Sequence, residues 1–190
     1  ARSMARLRRN DRFKRAGEAR EGRKGKHMIY DLIVLGGGPA GYRAAERAGE
    51  GGLSTLLLEE RGVGGVCLNE GCVPTKTLLY SAKLHDGVAR GERYGVTAEG
   101  LRLDHQRVVA RKDKVVKTLV AGVNASLRAA GVTLVNARGV IAGFSAEGCL
   151  VEAGGETYTG RRLLVATGSS PAVPPIEGLK EALGSGFALT

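Results

Sequence analysis

An apolar run that empties into glycines constrains this chain most: Ile29-Tyr30-Asp31-Leu32-Ile33-Val34-Leu35 leads directly into Gly36-Gly37-Gly38-Pro39-Ala40-Gly41. Such a run reads as a buried strand, and G-x-G-x-x-G at Gly36, Gly38 and Gly41 reads as a tight turn into a helix. Each glycine has its own task. Gly36 permits the turn, Gly38 lets backbone approach a pyrophosphate, and Gly41 lets the helix pack on the strand. Ala44, Ala45 and Ala48 offer that helix a small packing face, and Leu53-Ser54-Thr55-Leu56-Leu57-Leu58-Glu59-Glu60 reads as a second buried strand ending in acid. Glu59 falls 23 residues after Gly36, near the spacing at which a carboxylate reaches the ribose hydroxyls of an adenine dinucleotide; an acid there argues against a 2′-phosphate. Glu60 reads as a solvated loop residue.

About thirty residues downstream lies Gly64-Gly65-Val66-Cys67-Leu68-Asn69-Glu70-Gly71-Cys72-Val73-Pro74-Thr75-Lys76. Taken alone, C-x4-C fits inert thiols or metal ligands as well as a redox couple. Five residues along an ideal helix would place the two Cα atoms roughly 8 to 9 Å apart, whereas a disulfide prefers less than about 7 Å. If they bond, the segment between them must leave the helix, and Asn69-Glu70-Gly71 is loop chemistry that permits it. A regular helix can then begin at Val73, with Pro74 in its first turn, where a missing N–H costs little. Cys72 would lie at that positive helix end, which favours a thiolate.

With both motifs in place the chain resembles the FAD-dependent pyridine nucleotide-disulfide oxidoreductases over roughly residues 28 to 190, and within them most closely the lipoamide-oxidising branch. The family pattern GG-x-C-x-N-x-G-C-x-P-x-K is met by Gly64, Gly65, Cys67, Asn69, Gly71, Cys72, Pro74 and Lys76. The resemblance implies a Cys67–Cys72 redox disulfide. In it Cys67 would exchange with the substrate, Cys72 would make the charge-transfer contact with the flavin, and Lys76 would be a cation near the isoalloxazine ring. Leu163-Leu164-Val165-Ala166-Thr167-Gly168-Ser169-Ser170-Pro171 resembles the family's A-T-G-S-x-P turn beside FAD. Val132 to Gly139 resembles the strand whose backbone meets the adenine, with Ala137 where glycine is usual, so that its φ would need to be negative.

The FAD-contacting set implied is therefore Gly36, Gly38, Pro39, Ala40, Gly41, Glu59, Gly65, Val66, Cys67, Cys72, Lys76, Ala137, Ala166, Thr167, Gly168 and Ser169. Leu68 and Thr75 look like lipoamide enzymes; Val73 is equally at home in glutathione or mercuric reductases. Those substrates, or a noncatalytic flavin-binding remnant, are the alternatives. The implied partners are a dithiol or disulfide substrate, lipoamide on an acyl-carrier or lipoyl domain, and a second copy in the full-length enzyme. By Thr190 there is no second G-x-G-x-x-G domain for NAD, no Gly-Asp segment completing the FAD site, and no interface domain with its histidine–glutamate pair. The chain thus reads as the N-terminal part of a longer enzyme, inactive alone.

The formal charge of +10 concentrates in residues 1 to 26, where eleven Lys/Arg and three Asp/Glu leave only +2 for the remainder. The body is nearly neutral and lacks basic patches interleaved with aromatics, which argues against nucleic acid. Residues 1–27 read as a basic disordered leader, either translated upstream sequence or an organelle targeting peptide. The location expected is accordingly cytoplasmic, with an organelle matrix as the alternative. No stretch has the length of a transmembrane helix.

Residues 28–190 are expected to form one α/β domain: a Rossmann-like, three-layer FAD-binding fold with an incomplete parallel sheet flanked by helices and a small antiparallel insertion. Its longest helical pattern is Asp104 to Ala130, with a core stripe of Val108, Val115, Val116, Leu119, Val120, Val123 and Leu127 and with Lys112, Lys114, Lys117 and Arg128 solvated. Gly148 to Tyr158 alternates around Gly154-Gly155 and reads as a hairpin holding Cys149 as a packed thiol. His27, His85 and His105 read as surface residues. Metal ligation is not expected, because neither a second cysteine pair nor a nearby histidine accompanies Cys67 and Cys72. No G-x-S-x-G elbow supports serine hydrolysis.

Overall fold

The apolar run Ile29–Leu35 is cut in two at Asp31. In the computed structural model, which describes residues 28–188, Ile29–Tyr30 forms strand β1 and Leu32–Leu35 forms β2, and the two belong to different sheets. The Asp31 carboxylate accepts from the Ser54 amide at 3.0 Å, the Ser54 hydroxyl at 2.8 Å and the Arg161 guanidinium at 2.9 Å. The Ser54 hydroxyl in turn accepts from the Asp31 amide at 2.9 Å. A carboxylate with these partners cannot sit in a strand buried on both faces, so the chain bends there. The expected leader, residues 1–27, lies outside the described residues.

The central sheet is wholly parallel, in the order β4-β3-β2-β8, with β3 at Thr55–Leu58, β4 at Thr133–Val135 and β8 at Leu163–Val165. The second sheet runs β1-β7-β6-β5, with β5 at Val140–Ser145, β6 at Gly148–Ala153 and β7 at Glu156–Gly160. It is antiparallel except for the β1–β7 pair. The helices are α1 (Pro39–Glu50), α2 (Gly65–Asn69), α3 (Cys72–Ala89), α4 (His105–Ala129) and α5 (Leu179–Gly184), with a 3₁₀ turn at Gly91–Tyr94.

Side-chain alternation sorts the core into two layers. Ile33, Leu35, Leu56 and Leu58 face the second sheet and pack on Tyr30, Cys149, Val151 and Ala153. Val34 and Leu57 face the helices and pack on Ala45, Val63, Leu127 and Val132. The expected three layers are present, and the small sheet supplies one of them: helices cover one face of the parallel sheet and the insertion covers the other. That is why β2 and β3 read as continuous apolar runs. Each fully buried leucine contributes about 2 kcal/mol by the area it withdraws from water.

The hairpin forms as expected, turning at Gly154-Gly155, with the Cys149 thiol buried. The small-residue face of α1 is Gly41, Ala45 and Gly49, one residue per turn, with Ala44 and Ala48 half-buried beside it. The α4 stripe departs further from expectation. Leu127 is fully buried, five of the valines are half-buried, and Leu119 is 44% exposed. Twenty-five residues of helix extend about 37 Å, whereas strands of three or four residues reach only about 13 Å; the first half of α4 therefore overshoots the sheet. Lys114, Lys117 and Arg128 are solvated, while Lys112 is half-buried and pairs with Asp113. His105 is exposed and His85, placed on α3, is half-buried; His27 lies outside the described residues.

Candidate active site

Leu35, Leu58, Val135 and Val165 stand at one level across the parallel sheet. The residues that follow them, Gly36, Glu59, Asn136 and Ala166, consequently form a row along its carboxyl ends. The backbone fixes this row: the Ala166 amide donates to Leu35 O at 2.8 Å, Gly36 to Leu58 O at 2.8 Å and Glu59 to Val135 O at 3.1 Å. From β2 the chain moves through β3 to β4, and β8 then pairs on the opposite side of β2. The order reverses between β2 and β8, which is where open α/β sheets bind ligands.

The glycine loop follows this geometry closely. Gly36 has φ +96°, and a Cβ there would stand 2.3 Å from Ala166 O; a Cβ on Gly41 would stand 1.8 Å from Gly36 O. Gly38 is the N-cap of α1 and Pro39 opens the helix, with no side chain capping the first turn. The Tyr42 amide donates to Gly38 O at 2.9 Å, so the amides of Ala40 and Gly41, with the helix dipole, are the donors turned toward an anion. Both oxygens of Glu59 are engaged locally: Oε2 accepts from the Gly37 amide at 2.6 Å, and Oε1 from the amides of Arg61 at 2.8 Å and Gly62 at 3.1 Å. Ala137 donates its amide to Val135 O at 3.1 Å, and no non-glycine residue among those described has a positive φ. Ala137 thus has the backbone form that replacement of glycine requires. Thr167, Gly168 and Ser169 follow β8 as exposed loop, while Glu60 is solvated as expected.

The cysteine segment also leaves the helix where its geometry demands. Cys67 lies in α2, the backbone breaks at Glu70-Gly71, and Cys72 is the first residue of α3. At the break the amides of Glu70 and Gly71 converge on Val66 O, at 2.9 and 2.7 Å. Pro74 is the third residue of α3 and is buried. Both cysteines are free thiols, Cys67 half-buried and Cys72 exposed. Hydrogen bonding to the Cys72 thiol, then burial and the Cys72 charge, push the Cys67 thiol up, while the Lys76 ammonium and the Cys72 backbone amide pull it down. Cys72 thus stands at the start of α3, the position the sequence assigned to it.

One connection was not foreseen. The Gly64 amide donates to Gly37 O at 2.8 Å, and Gly65 packs on Gly38 so closely that a Cβ would lie 2.7 Å from the Gly38 Cα. The thiol segment is therefore seated directly on the glycine loop. The only sequence signal for this was the Gly64-Gly65 pair itself, whose lack of side chains permits two backbones to touch. Among the described residues no helix is long and apolar enough to cross a membrane.

Residues 30–189 match the family model for pyridine nucleotide-disulphide oxidoreductase. The chain belongs to that family. It is similar to the dihydrolipoyl dehydrogenase of Acholeplasma laidlawii, 44% identical over 162 residues that make up 85% of this chain and 47% of the relative. The dihydrolipoyl dehydrogenase of Mycoplasma genitalium is 42% identical over 163 residues, 85% of this chain and 35% of its own. Among solved structures, LpdA of Mycobacterium tuberculosis superposes with a TM-score of 0.66 at 28% identity, over 76% of this chain and 33% of that one. The Cu(II) complex of RclA, an HOCl-induced flavoprotein disulfide reductase from Escherichia coli, gives 0.62 at 25% identity, over 79% and 30%. The chain spans between a third and a half of the length of these two dehydrogenases. Members of this family carry FAD and work with a pyridine nucleotide. The residues present fit an adenine dinucleotide, since the open Gly38, the uncapped start of α1 and the carboxylate at Glu59 are the donors and acceptor such a group requires.

Proposed function

We propose that this chain is the FAD-binding portion of a dihydrolipoamide dehydrogenase, an enzyme that converts dihydrolipoamide and NAD⁺ to lipoamide, NADH and H⁺. The observation that carries the reading is the break at Glu70-Gly71, which ends α2 just after Cys67 and starts α3 at Cys72, on a segment seated against the glycine loop. Gly36, Gly38, Pro39, Ala40 and Gly41 would hold the pyrophosphate of FAD, Glu59 the ribose, Ala137 the adenine side, and Ala166, Thr167, Gly168 and Ser169 the opposite wall. Gly65, Val66, Cys67, Cys72 and Lys76 would lie toward the ring. When bound, FAD supplies a two-electron acceptor that no side chain can replace.

The thiols themselves carry the exchange. In the oxidised form a substrate thiolate attacks the sulfur of Cys67 and breaks the bond to Cys72, giving a mixed disulfide and a Cys72 thiolate. The second substrate thiol then attacks its partner sulfur and releases lipoamide and the Cys67 thiol. One disulfide breaks, one forms, and the substrate has lost two electrons to the protein. The Lys76 ammonium, which already favours a negative sulfur at Cys67, stabilises the thiolates between these steps. The lipoyl partner, a second copy of the enzyme and a cytoplasmic location belong to the same proposal.

The test is to oxidise the chain with diamide, map the disulfide by mass spectrometry, and titrate it with dihydrolipoamide and with glutathione. The expected result is a Cys67–Cys72 bond reduced completely by near-stoichiometric dihydrolipoamide. A disulfide elsewhere, or none, overturns the proposal.

A further inference from the structure

The residue between the two cysteines whose side chain reaches outward is Glu70, at the break between α2 and α3. Its carboxylate accepts from the guanidinium of Arg61, nine residues upstream in the turn after β3. The backbone amide of Arg61 is in turn held by Glu59 Oε1 at 2.8 Å, and the other oxygen of that carboxylate holds the Gly37 amide at 2.6 Å. A continuous series of hydrogen bonds therefore runs from the glycine loop through Glu59 and Arg61 to Glu70. On the near side of the break, Asn69 Nδ2 donates to Val63 O at 3.2 Å and Gly65 O at 3.0 Å. Among the described residues, Arg61 is the side-chain partner that ties the Glu70 carboxylate.

We infer that the Arg61–Glu70 pair is a positioning strap, which holds the inter-cysteine break in the form that lets Cys67 and Cys72 close into a disulfide. This rests on the redox reading of those thiols. Closing a disulfide costs less when the intervening chain already occupies the required conformation, because less chain entropy is lost on bond formation. Neither Arg61 nor Glu70 touches the thiols in this role; both act through the backbone of residues 69–71. The two side chains are 66% and 48% exposed, so an effect of about 1.5- to 5-fold is expected and it should be screened by salt.

The experiment equilibrates the chain with mixtures of glutathione and glutathione disulfide, where two protein thiols and one glutathione disulfide give one protein disulfide and two glutathione molecules. Acid-quenched samples are resolved by mass. The variants are Arg61→Gln, Glu70→Gln and the charge-swapped double Arg61→Glu/Glu70→Arg. Both single variants should lower the equilibrium constant for forming the Cys67–Cys72 bond by about 1.5- to 5-fold. The double variant should restore it, and 1 M NaCl should close the gap. Single variants that shift in opposite directions would mean a field effect of the remaining charge and would overturn the strap, as would no shift or a swap that fails to restore the bond. A parent chain that forms no such bond at any ratio overturns the redox reading, and the strap with it.

Discussion

The parallel sheet and the outer reach of α3 and α4 obey the same rule of burial with opposite results. Ile33, Val34, Leu56 and Leu57 have no exposed surface, whereas Leu79, Tyr80 and Leu84 on α3 are 61%, 55% and 55% exposed. The sheet is covered on both faces by elements this chain supplies, and every residue of β2 and β3 is consequently constrained. The helices project past that sheet, and among the described residues their outer halves pack on one another and, for α3, on the 3₁₀ turn at Gly91–Tyr94. Gly36, Glu59 and Ala166 of the candidate site belong to the constrained region: each stands one step beyond a paired strand end.

Three substitutions test that contrast, beginning with the strongest. Leu57→Ala removes a side chain enclosed between β2, β4 and α4, and should cost about 2 to 5 kcal/mol in urea unfolding monitored by circular dichroism; a cost below 1 kcal/mol would show that the sheet is not the rigid element. Asp31→Asn should cost about 1 to 2 kcal/mol at neutral pH, because the carboxylate accepts three hydrogen bonds where β1 and β2 diverge. The Ser54 amide and hydroxyl, followed by the Arg161 guanidinium, hold the Asp31 carboxyl below the usual carboxylate range. Its stabilisation is therefore present above about pH 4, the unfolded value, and is lost as pH falls through the lower folded value. The gap between parent and variant should narrow over that acidic window; a gap independent of pH would exclude the charge as the cause. Leu79→Ala, on the exposed arm, should change stability by less than about 0.5 kcal/mol.

Where backbone chemistry is local, the sequence was legible. Gly36, Gly41 and the acid at Glu59 specified the loop, and the impossibility of bridging two cysteines across five helical residues located a break that occurs at Glu70-Gly71. Two results needed the third dimension. The split at Asp31 depends on Ser54 and on Arg161, 130 residues away along the chain, and no local pattern announces such a partner. The half-buried stripe of α4 depends on the length of the strands beneath it, because periodicity identifies the face of a helix and not how far its support extends. The seating of Gly65 on Gly38 combines both: the glycines were visible, while their contact was not.

The most direct test of the redox site is the visible absorption spectrum of the chain with FAD, recorded before and after reduction with dithiothreitol. A long-wavelength charge-transfer band that forms on reduction and vanishes in Cys72→Ser is the result predicted for a thiolate placed against the flavin. Bound FAD that develops no such band in the parent chain would contradict it.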